Sequence, residues 1–391
     1  MAGRGSGTVI GGRVALRLDP AALEALGQDR RTVLVTGTNG KSTVTALVAA
    51  ALGAGGSVAT NATGANMPDG IVLALDADRD SPYAALEVDE VYLEQVVRAT
   101  RPRAVVVLNA FREYTRGVSL TRTLEHWQSV AAALPGDCAV IGNVDDPLVS
   151  WAFESAESRI GVAGELHWKA DALLCPACGH AHAWGPGGWR CEGCGRRRAV
   201  PDWQVGDRSE GAWWVRGPAG SVPVRVAVPG RTGPVGGAFA LASAAALGID
   251  PPAAAEHISS VVDVDGRYVP FPVAGRSARL IMLKNPAGWA EAIDLAASDG
   301  LPLVLAVDPF GPRDTTTLWE APFERLAGSE VAVTGGRRAD VLAVLRAAGV
   351  GAAEADEADD AVASRPPGEV IVACNYPAFR RLSRQWRGVP A

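Results

Sequence analysis

The stretch Val33-Leu34-Val35-Thr36-Gly37-Thr38-Asn39-Gly40-Lys41-Ser42-Thr43-Val44 decides how this chain is read. Residues 32–35 are apolar and β-branched, as a buried strand requires, and they run into two glycines. Residues 43–52 behind them are rich in Ala, Val and Leu and read as a helix. A glycine turn between strand and helix aims successive backbone N–H groups at one point, where the helix N-terminus adds favourable partial charge for phosphate. The expected cradle is therefore Gly37, Thr38, Asn39, Gly40, Lys41, Ser42 and Thr43, with Lys41 on the β- and γ-phosphates of a nucleoside triphosphate and Ser42 as a ligand of Mg²⁺. Val35 occupies the first glycine position of G-x-x-x-x-G-K-[ST], so the tighter G-T-x-G-K-[ST] form is the one that fits. The alternative is a glycine turn that does no more than cap a helix; it leaves the strand before and the helix after as coincidence.

Outward from this loop, strand candidates at residues 84–88 and 104–108 alternate with helix candidates at 90–99 and 123–134, the pattern of a parallel sheet. A further helix is expected over 239–247, and residues 263–279 read as a connector. Beyond it the alternation resumes, with strands at 303–307, 330–334 and 370–373, helices at 288–297, 339–347 and 378–386, and an acidic turn or loop at 354–360. At 391 residues the chain exceeds what one core usually organises. The expected division is a central domain over 1–266, carrying an insertion at 167–203, and a second, C-terminal α/β domain over 267–391. A hydrophobic share of 48% with 20% charged residues suits such a protein. The net charge of -6 gives no electrostatic footprint for nucleic acid, and Arg196-Arg197-Arg198 reads as a solvated basic face. No apolar run resembles a secretory core or a membrane span, so a cytoplasmic location without a membrane span is expected.

The insertion has too little aliphatic material for a core and needs a staple. Four of the six cysteines supply one: Cys175-x2-Cys178 and Cys191-x2-Cys194 are separated by twelve residues, a spacing that lets two thiolate knuckles close a tetrahedral site. Four thiolates leave no open position, so the zinc is expected to be structural, with His180 and His182 as exposed knuckle residues rather than ligands. The alternative, two redox-active pairs, lacks a thioredoxin-like strand and helix around them. Cys138 and Cys374 read as buried thiols. Only Lys41, Lys169 and Lys284 are lysines among 37 basic residues, and two of them fall in motif-like strings, Gly40-Lys41-Ser42 and Lys284-Asn285-Pro286.

The phosphate loop resembles that of the Mur ligase family, which joins amino acids to carboxylates through acyl phosphates. Four further strings are similar to the MurT-type subunits of lipid II isoglutaminyl synthase: Thr60-Asn61-Ala62-Thr63-Gly64-Ala65-Asn66-Met67, Leu86-Glu87-Val88-Asp89-Glu90, Asn143-Val144-Asp145-Asp146-Pro147 and Lys284-Asn285-Pro286-Ala287-Gly288-Trp289. The short stretch before the loop fits too, since amino-acid-adding relatives carry a substrate domain there. The resemblance implies ATP, Mg²⁺ and structural Zn²⁺ as cofactors, and a Mur-ligase-type P-loop domain with an inserted four-cysteine zinc ribbon. It implies activation of a carboxylate, the stem-peptide glutamate of lipid II or that of another acceptor, and amidation with ammonia from a GatD-like class I glutaminase in a heterodimer. It gives Glu87 a place beside Mg²⁺, Asn143 and Asp145 a place on the nucleotide side, and Lys284 or Asn285 a role in positioning phosphate or acyl groups. By the same resemblance Asp314, in Asp308-Pro309-Phe310-Gly311-Pro312-Arg313-Asp314, orients the partner's catalytic histidine. Plainer readings stay open: Glu87, Asp89 and Glu90 as an acidic first turn, the Asn143–Asp146 string as a self-contained turn, and Asp314 as a Pro/Gly-turn aspartate.

Two departures qualify the likeness. Where the family carries two asparagines near adenine, this chain has Gly233 and Gly236; where it carries Asp-Gln-Leu-Asp-Arg, this chain reads Asn109-Ala110-Phe111-Arg112-Glu113-Tyr114-Thr115-Arg116, keeping Asn109 and Arg112. Lost base contacts cost roughly 1–3 kcal/mol each. Hence the competing expectations: a divergent amidating ligase, a nucleotide-binding scaffold for a glutaminase, or a direct amino-acid ligase.

Overall fold

A computed structural model describes residues 9–61, 64–113, 119–228, 232–262, 270–310 and 316–388. They fall into two compact units, Met1–Ala110 with Ser119–Asp265, and Phe111–Val118 with Gly266–Ala391. Residue 267, where the second domain is expected to begin, lies outside the described residues.

The first unit runs α1 (Ile10–Leu18), α2 (Ala22–Gly27), β1 (Arg31–Thr36), α3 (Lys41–Gly53), β2 (Val58–Thr60), α4 (Pro68–Ala77), β3 (Tyr83–Glu87), α5 (Leu93–Thr100), β4 (Ala104–Val107), α6 (Leu120–Ala133), β5 (Ala139–Asn143), α7 (Pro147–Ala152) and β6 (Ser158–Ala163). The insertion follows with β7 (His182–Gly185) and β8 (Gly188–Cys191), then β9 (Trp203–Ser209), β10 (Ala212–Gly217), β11 (Gly220–Val224), α8 (Thr232–Ala246) and α9 (Pro251–Ile258). Nine strands form one sheet in the order β11-β10-β9-β6-β5-β4-β1-β3-β2. Pairing is parallel from β2 through β6 and on to β9, and antiparallel among β9, β10 and β11.

Strand β1 shows why the sheet is sandwiched. Val33 and Val35 join α3, α8 and α9 in one core through Leu47, Phe239 and Ile258, while Leu34 faces the other core with Ile71, Leu93 and Trp127 from α4, α5 and α6. A strand buried on both faces has no polar alternation, and this is the apolar run legible at 32–35. The antiparallel extension is different, since β9 buries only Trp203 and Val205 and exposes the residues between and after them.

The second unit comprises β12 (Pro270–Val273), β13 (Arg276–Met282), α10 (Pro286–Asp299), β14 (Leu303–Ala306), β15 (Val331–Thr334), α11 (Arg338–Ala347), β16 (Ala353–Glu354), α12 (Ala358–Ala363), β17 (Glu369–Cys374) and α13 (Tyr376–Trp386). Its sheet order is β12-β13-β17-β14-β15-β16. Leu303 and Leu305 pack with α10 and α11, Val304 and Ala306 with α12 and α13. Two readings change here. The expected connector over 263–279 contains an antiparallel hairpin, β12–β13, whose Pro270 and Pro272 are tolerated because β12 is an edge strand. The expected acidic loop at 354–360 is the end of β16 and the first turn of α12, where Asp359 and Asp360 favour the helix N-terminus.

Candidate phosphate-binding site and metal centre

The loop between β1 and α3 is built on glycine geometry. Gly37 has φ 132° and Gly40 φ 83°, both in the left-handed range that glycine alone enters freely. A Cβ on Gly37 would also stand 3.0 Å from Leu108 Cβ and 3.1 Å from the Asn109 nitrogen. That close approach lets Asn109, just past β4, clamp the loop: its carbonyl accepts from Thr38 N (3.1 Å), its Oδ1 accepts from Asn39 N (2.8 Å), and its Nδ2 donates to Asn39 O (3.1 Å). Lys41, Ser42 and Thr43 are all buried. The Lys41 ammonium donates to Gly37 O and Thr38 O and forms an ion pair with Glu90 Oε1 at 3.1 Å.

Glu87 ends β3 in register with Val35, at the end of the sheet that carries the loop. Asn61 holds its backbone from both sides, accepting from Glu87 N and donating to Glu87 O, each at 2.8 Å. Asn66 Nδ2 donates to the Glu87 carboxylate at 2.9 Å. The same β2–α4 connection faces the phosphate loop, since a Cβ on Gly64 would lie 4.0 Å from Ser42 Oγ. The three acids after β3 thus divide. Asp89 accepts from Val91 N (3.2 Å) and is the cap of the following turn, Glu87 is held by Asn66, and Glu90 reaches Lys41.

In the β5–α7 string, Asn143 Oδ1 accepts from Asp145 N (2.9 Å) and Gly164 N (3.1 Å), and Asp145 Oδ2 accepts from Glu165 N (2.9 Å). Asp145 also pairs with Arg198. Asp146 is fully buried; its carboxylate accepts from Ala110 N (3.0 Å), Leu148 N (2.9 Å) and Val149 N (3.4 Å). Burial outweighs those three N–H donors and pushes its pKa up to about 6.

The four sulfurs of Cys175, Cys178, Cys191 and Cys194 lie within 4.8 Å of one another. Cys175 and Cys194 are 3.8 Å apart, and Cys178 and Cys191 3.4 Å. A tetrahedron with 2.3 Å Zn–S bonds has edges of roughly 3.8 Å, so the set fits zinc with sub-ångström to ångström adjustments of the sulfurs. Gly193 N and Cys194 N donate to Cys191 Sγ at 3.4 and 3.5 Å, and Arg196 Nη1 donates to Cys194 Sγ at 3.4 Å. The Arg196 backbone N–H and guanidinium hold the Cys194 thiol down to about 6, favouring the ligating thiolate.

His182 is not an exposed knuckle residue. It is buried, its Nδ1 pairs with Ala172 O at 2.7 Å, and its ring packs edge-on against Trp189. His180 is exposed, as expected. The basic run is solvated only in part: Arg197 is exposed, as expected, but Arg196 makes two bonds to Glu154 (2.9 and 3.0 Å), and Arg198 reaches Asp145. With Trp189 Nε1 donating to Val144 O at 2.9 Å, the ribbon is fastened to the β5–α7 string.

Gly233 and Gly236 lie in α8; a side chain at 233 would run into backbone, whereas one at 236 would have to displace the end of a leucine. A Cβ at 236 would meet Leu47 Cδ1 of α3 at 2.8 Å, and one at 233 would meet Val228 O at 2.5 Å. In the second unit Asn285 is fully buried and caps α10, accepting from Gly288 N at 2.9 Å, with Lys284 immediately before it. Asp314 lies outside the described residues. Four residues of the site received no role from the sequence: Asn61, Asn66, Asn109 and, as a lysine partner, Glu90. Their available signal was position, each directly following or facing a strand end next to the glycine loop.

The Mur ligase middle domain matches residues 35–115. The chain is 27% identical to the lipid II isoglutaminyl synthase (glutamine-hydrolyzing) subunit MurT of Streptococcus pneumoniae (strain ATCC BAA-255 / R6), over 88% of this chain and 83% of that protein. Among solved structures it is similar to a pseudomurein peptide ligase type C from Methanothermus fervidus, with TM-score 0.69, 15% identity, and 91% and 78% of the two chains covered. It is also similar to MurF ligase from Thermotoga maritima in complex with ADP, with TM-score 0.68, 16% identity, and 95% and 82% covered. The chain thus carries a region that matches the Mur ligase middle domain, has the fold of those solved ligases, and is similar over most of its length to a MurT subunit.

Proposed function

We propose that this chain is the synthetase subunit of an ATP-dependent, glutamine-hydrolysing amidotransferase. The observation that carries the reading is the buried lysine of a preformed glycine loop, with Ser42 beside it and Glu87 fixed at the same sheet end, its backbone by Asn61 and its carboxylate by Asn66. In this reading Gly37, Thr38, Asn39, Gly40 and Thr43 line the phosphates with Lys41, while Ser42 and Glu87 hold Mg²⁺, whose contribution is to neutralise charge on the phosphoryl oxygens. The reaction class is phosphoryl transfer to a carboxylate, giving an acyl phosphate that ammonia displaces. By likeness to the pneumococcal protein the acceptor is the stem-peptide glutamate of lipid II, with another carboxylate as the outcome if this member has diverged.

Asn143 and Asp145 belong to the nucleotide side as the ribbon-braced edge of the site, rigidified by Arg198 and Trp189. The four-cysteine cluster holds structural zinc. Lys284 and Asn285 serve the acyl phosphate, Asn285 by fixing the start of α10 so that Lys284 is presented from a rigid element. Ammonia comes from a GatD-like class I glutaminase, toward which Asp314 supplies the orienting carboxylate. The chain works in the cytoplasm.

Titration calorimetry with ATP and Mg²⁺ tests the site. Binding that falls by at least about a hundredfold in Lys41→Ala, on the scale of losing charge-assisted hydrogen bonds, is the expected result. The packed glycines of α8 favour a second reading, a scaffold for a glutaminase with a weakened base site. It predicts partner binding indifferent to Lys41→Ala and no turnover.

A further inference from the structure

Glu90 sits where a phosphate loop should be most anionophilic. Its side chain is 11% exposed and that of Lys41 is 8% exposed, so the pair is shielded from solvent screening. The lysine has a long, rotatable stem, whereas the carboxylate is mounted on a fixed part of the fold. Glu90 begins the turn Glu90–Tyr92, which Asp89 caps; Asp89 is itself buried, and its N–H donates to Asn66 O at 3.0 Å. The preceding strand β3 is buried at every residue. When Lys41 turns toward phosphate, Glu90 stays behind.

We propose that Glu90 is the resting counter-ion of Lys41 and a positioning residue that makes entry of a triphosphate dependent on an accompanying divalent cation. The inference rests on the phosphate-binding reading of the loop and adds a selection rule to it. A metal-free triphosphate must take the ammonium away from Glu90 and then lie beside two buried carboxylates, Glu87 and Glu90, with Lys41 the cation that the described residues place against Glu90. A triphosphate carrying a divalent cation brings the missing positive charge with it. The capping role that an acid at this point would otherwise fill is already taken by Asp89. The latch therefore excludes free anions and holds Lys41 oriented until the metal complex arrives.

The test titrates the full chain with ATP and, separately, with inorganic triphosphate, each in excess Mg²⁺ and in excess EDTA. The readout is the ratio of metal-free to Mg²⁺-bound Kd. Glu90→Gln, which keeps shape and an acceptor but removes the charge, should shrink that ratio at least tenfold (about 1.4 kcal/mol), chiefly by tightening metal-free binding. Glu90→Ala is the second variant. Melting curves report which of the two retains the fold, and the same ratio is read from any that does. An unchanged ratio, or equal weakening with and without metal, overturns the latch and leaves nucleotide binding standing. Binding of inorganic triphosphate but not ATP would sink the ATP reading and leave the latch testable on the same ratio. Wild-type binding of neither would sink both.

Discussion

Asn109 shows how one side chain can set the shape of a phosphate loop. Its amide spans Asn39 on both the donor and acceptor sides, and its backbone takes Thr38, so the loop is held against the end of β4 before any ligand arrives. Asn109→Ala leaves two groups of Asn39 without that partner, a loss of roughly 1–3 kcal/mol. Calorimetry should show the Mg²⁺-triphosphate affinity falling about tenfold or more with little change in helix content. Asp146 carries a pH signature. Its folded pKa, about 6, stands above the ordinary carboxylate value, so the folded state binds the extra proton. Its contribution to stability is present below the unfolded pKa and is lost as pH rises through about 6. Relative to Asp146→Asn, the wild type should lose on the order of 3 kcal/mol between pH 4 and pH 7. Chemical denaturation of both proteins across that range checks the sign, and a difference that grows in the wild type's favour with pH would refute it.

Among the elements, the four-cysteine ribbon is the one whose removal should be felt elsewhere. Trp189 and Arg198 tie it to Val144 and Asp145, and Arg196 ties it to Glu154. Metal analysis should return about one zinc per chain, the number four thiolates can close around. Chelation should lower the melting temperature, expose residues 167–203 to protease, and loosen the β5–α7 string. Elements buried on both faces, such as β1 and β3, were legible because their sequences are unbroken apolar runs. The hairpin β12–β13 was not, since its prolines look like punctuation until the edge position is known. The strands β9 to β11 were hidden for another reason: with one exposed face, their polar residues blur the pattern. In the site, Lys41 and Ser42 were legible from spacing alone. The Lys41–Glu90 pair was not, because it joins residues from different strand ends and depends on sheet order.

At the scale of the whole molecule, each unit supplies part of the proposed chemistry: the phosphate loop and Glu87 in the first, Lys284, Asn285 and Asp314 in the second. Division of labour gives a separable prediction. Asp314→Asn should cut glutamine-driven amidation by at least about a hundredfold while leaving ammonium-driven amidation near the wild-type rate, because only the partner's general base loses its orienting acid. Loss of both rates alike would remove Asp314 from that role. The most direct measurement is ADP release by the purified chain with ATP, Mg²⁺ and a lipid II acceptor, with and without ammonium. Amidating ligase chemistry predicts ADP formed in step with amide, requiring both acceptor and ammonium and abolished by Lys41→Ala. ATP bound without turnover across carboxylate acceptors, or turnover with amino acids in place of ammonia, would contradict it.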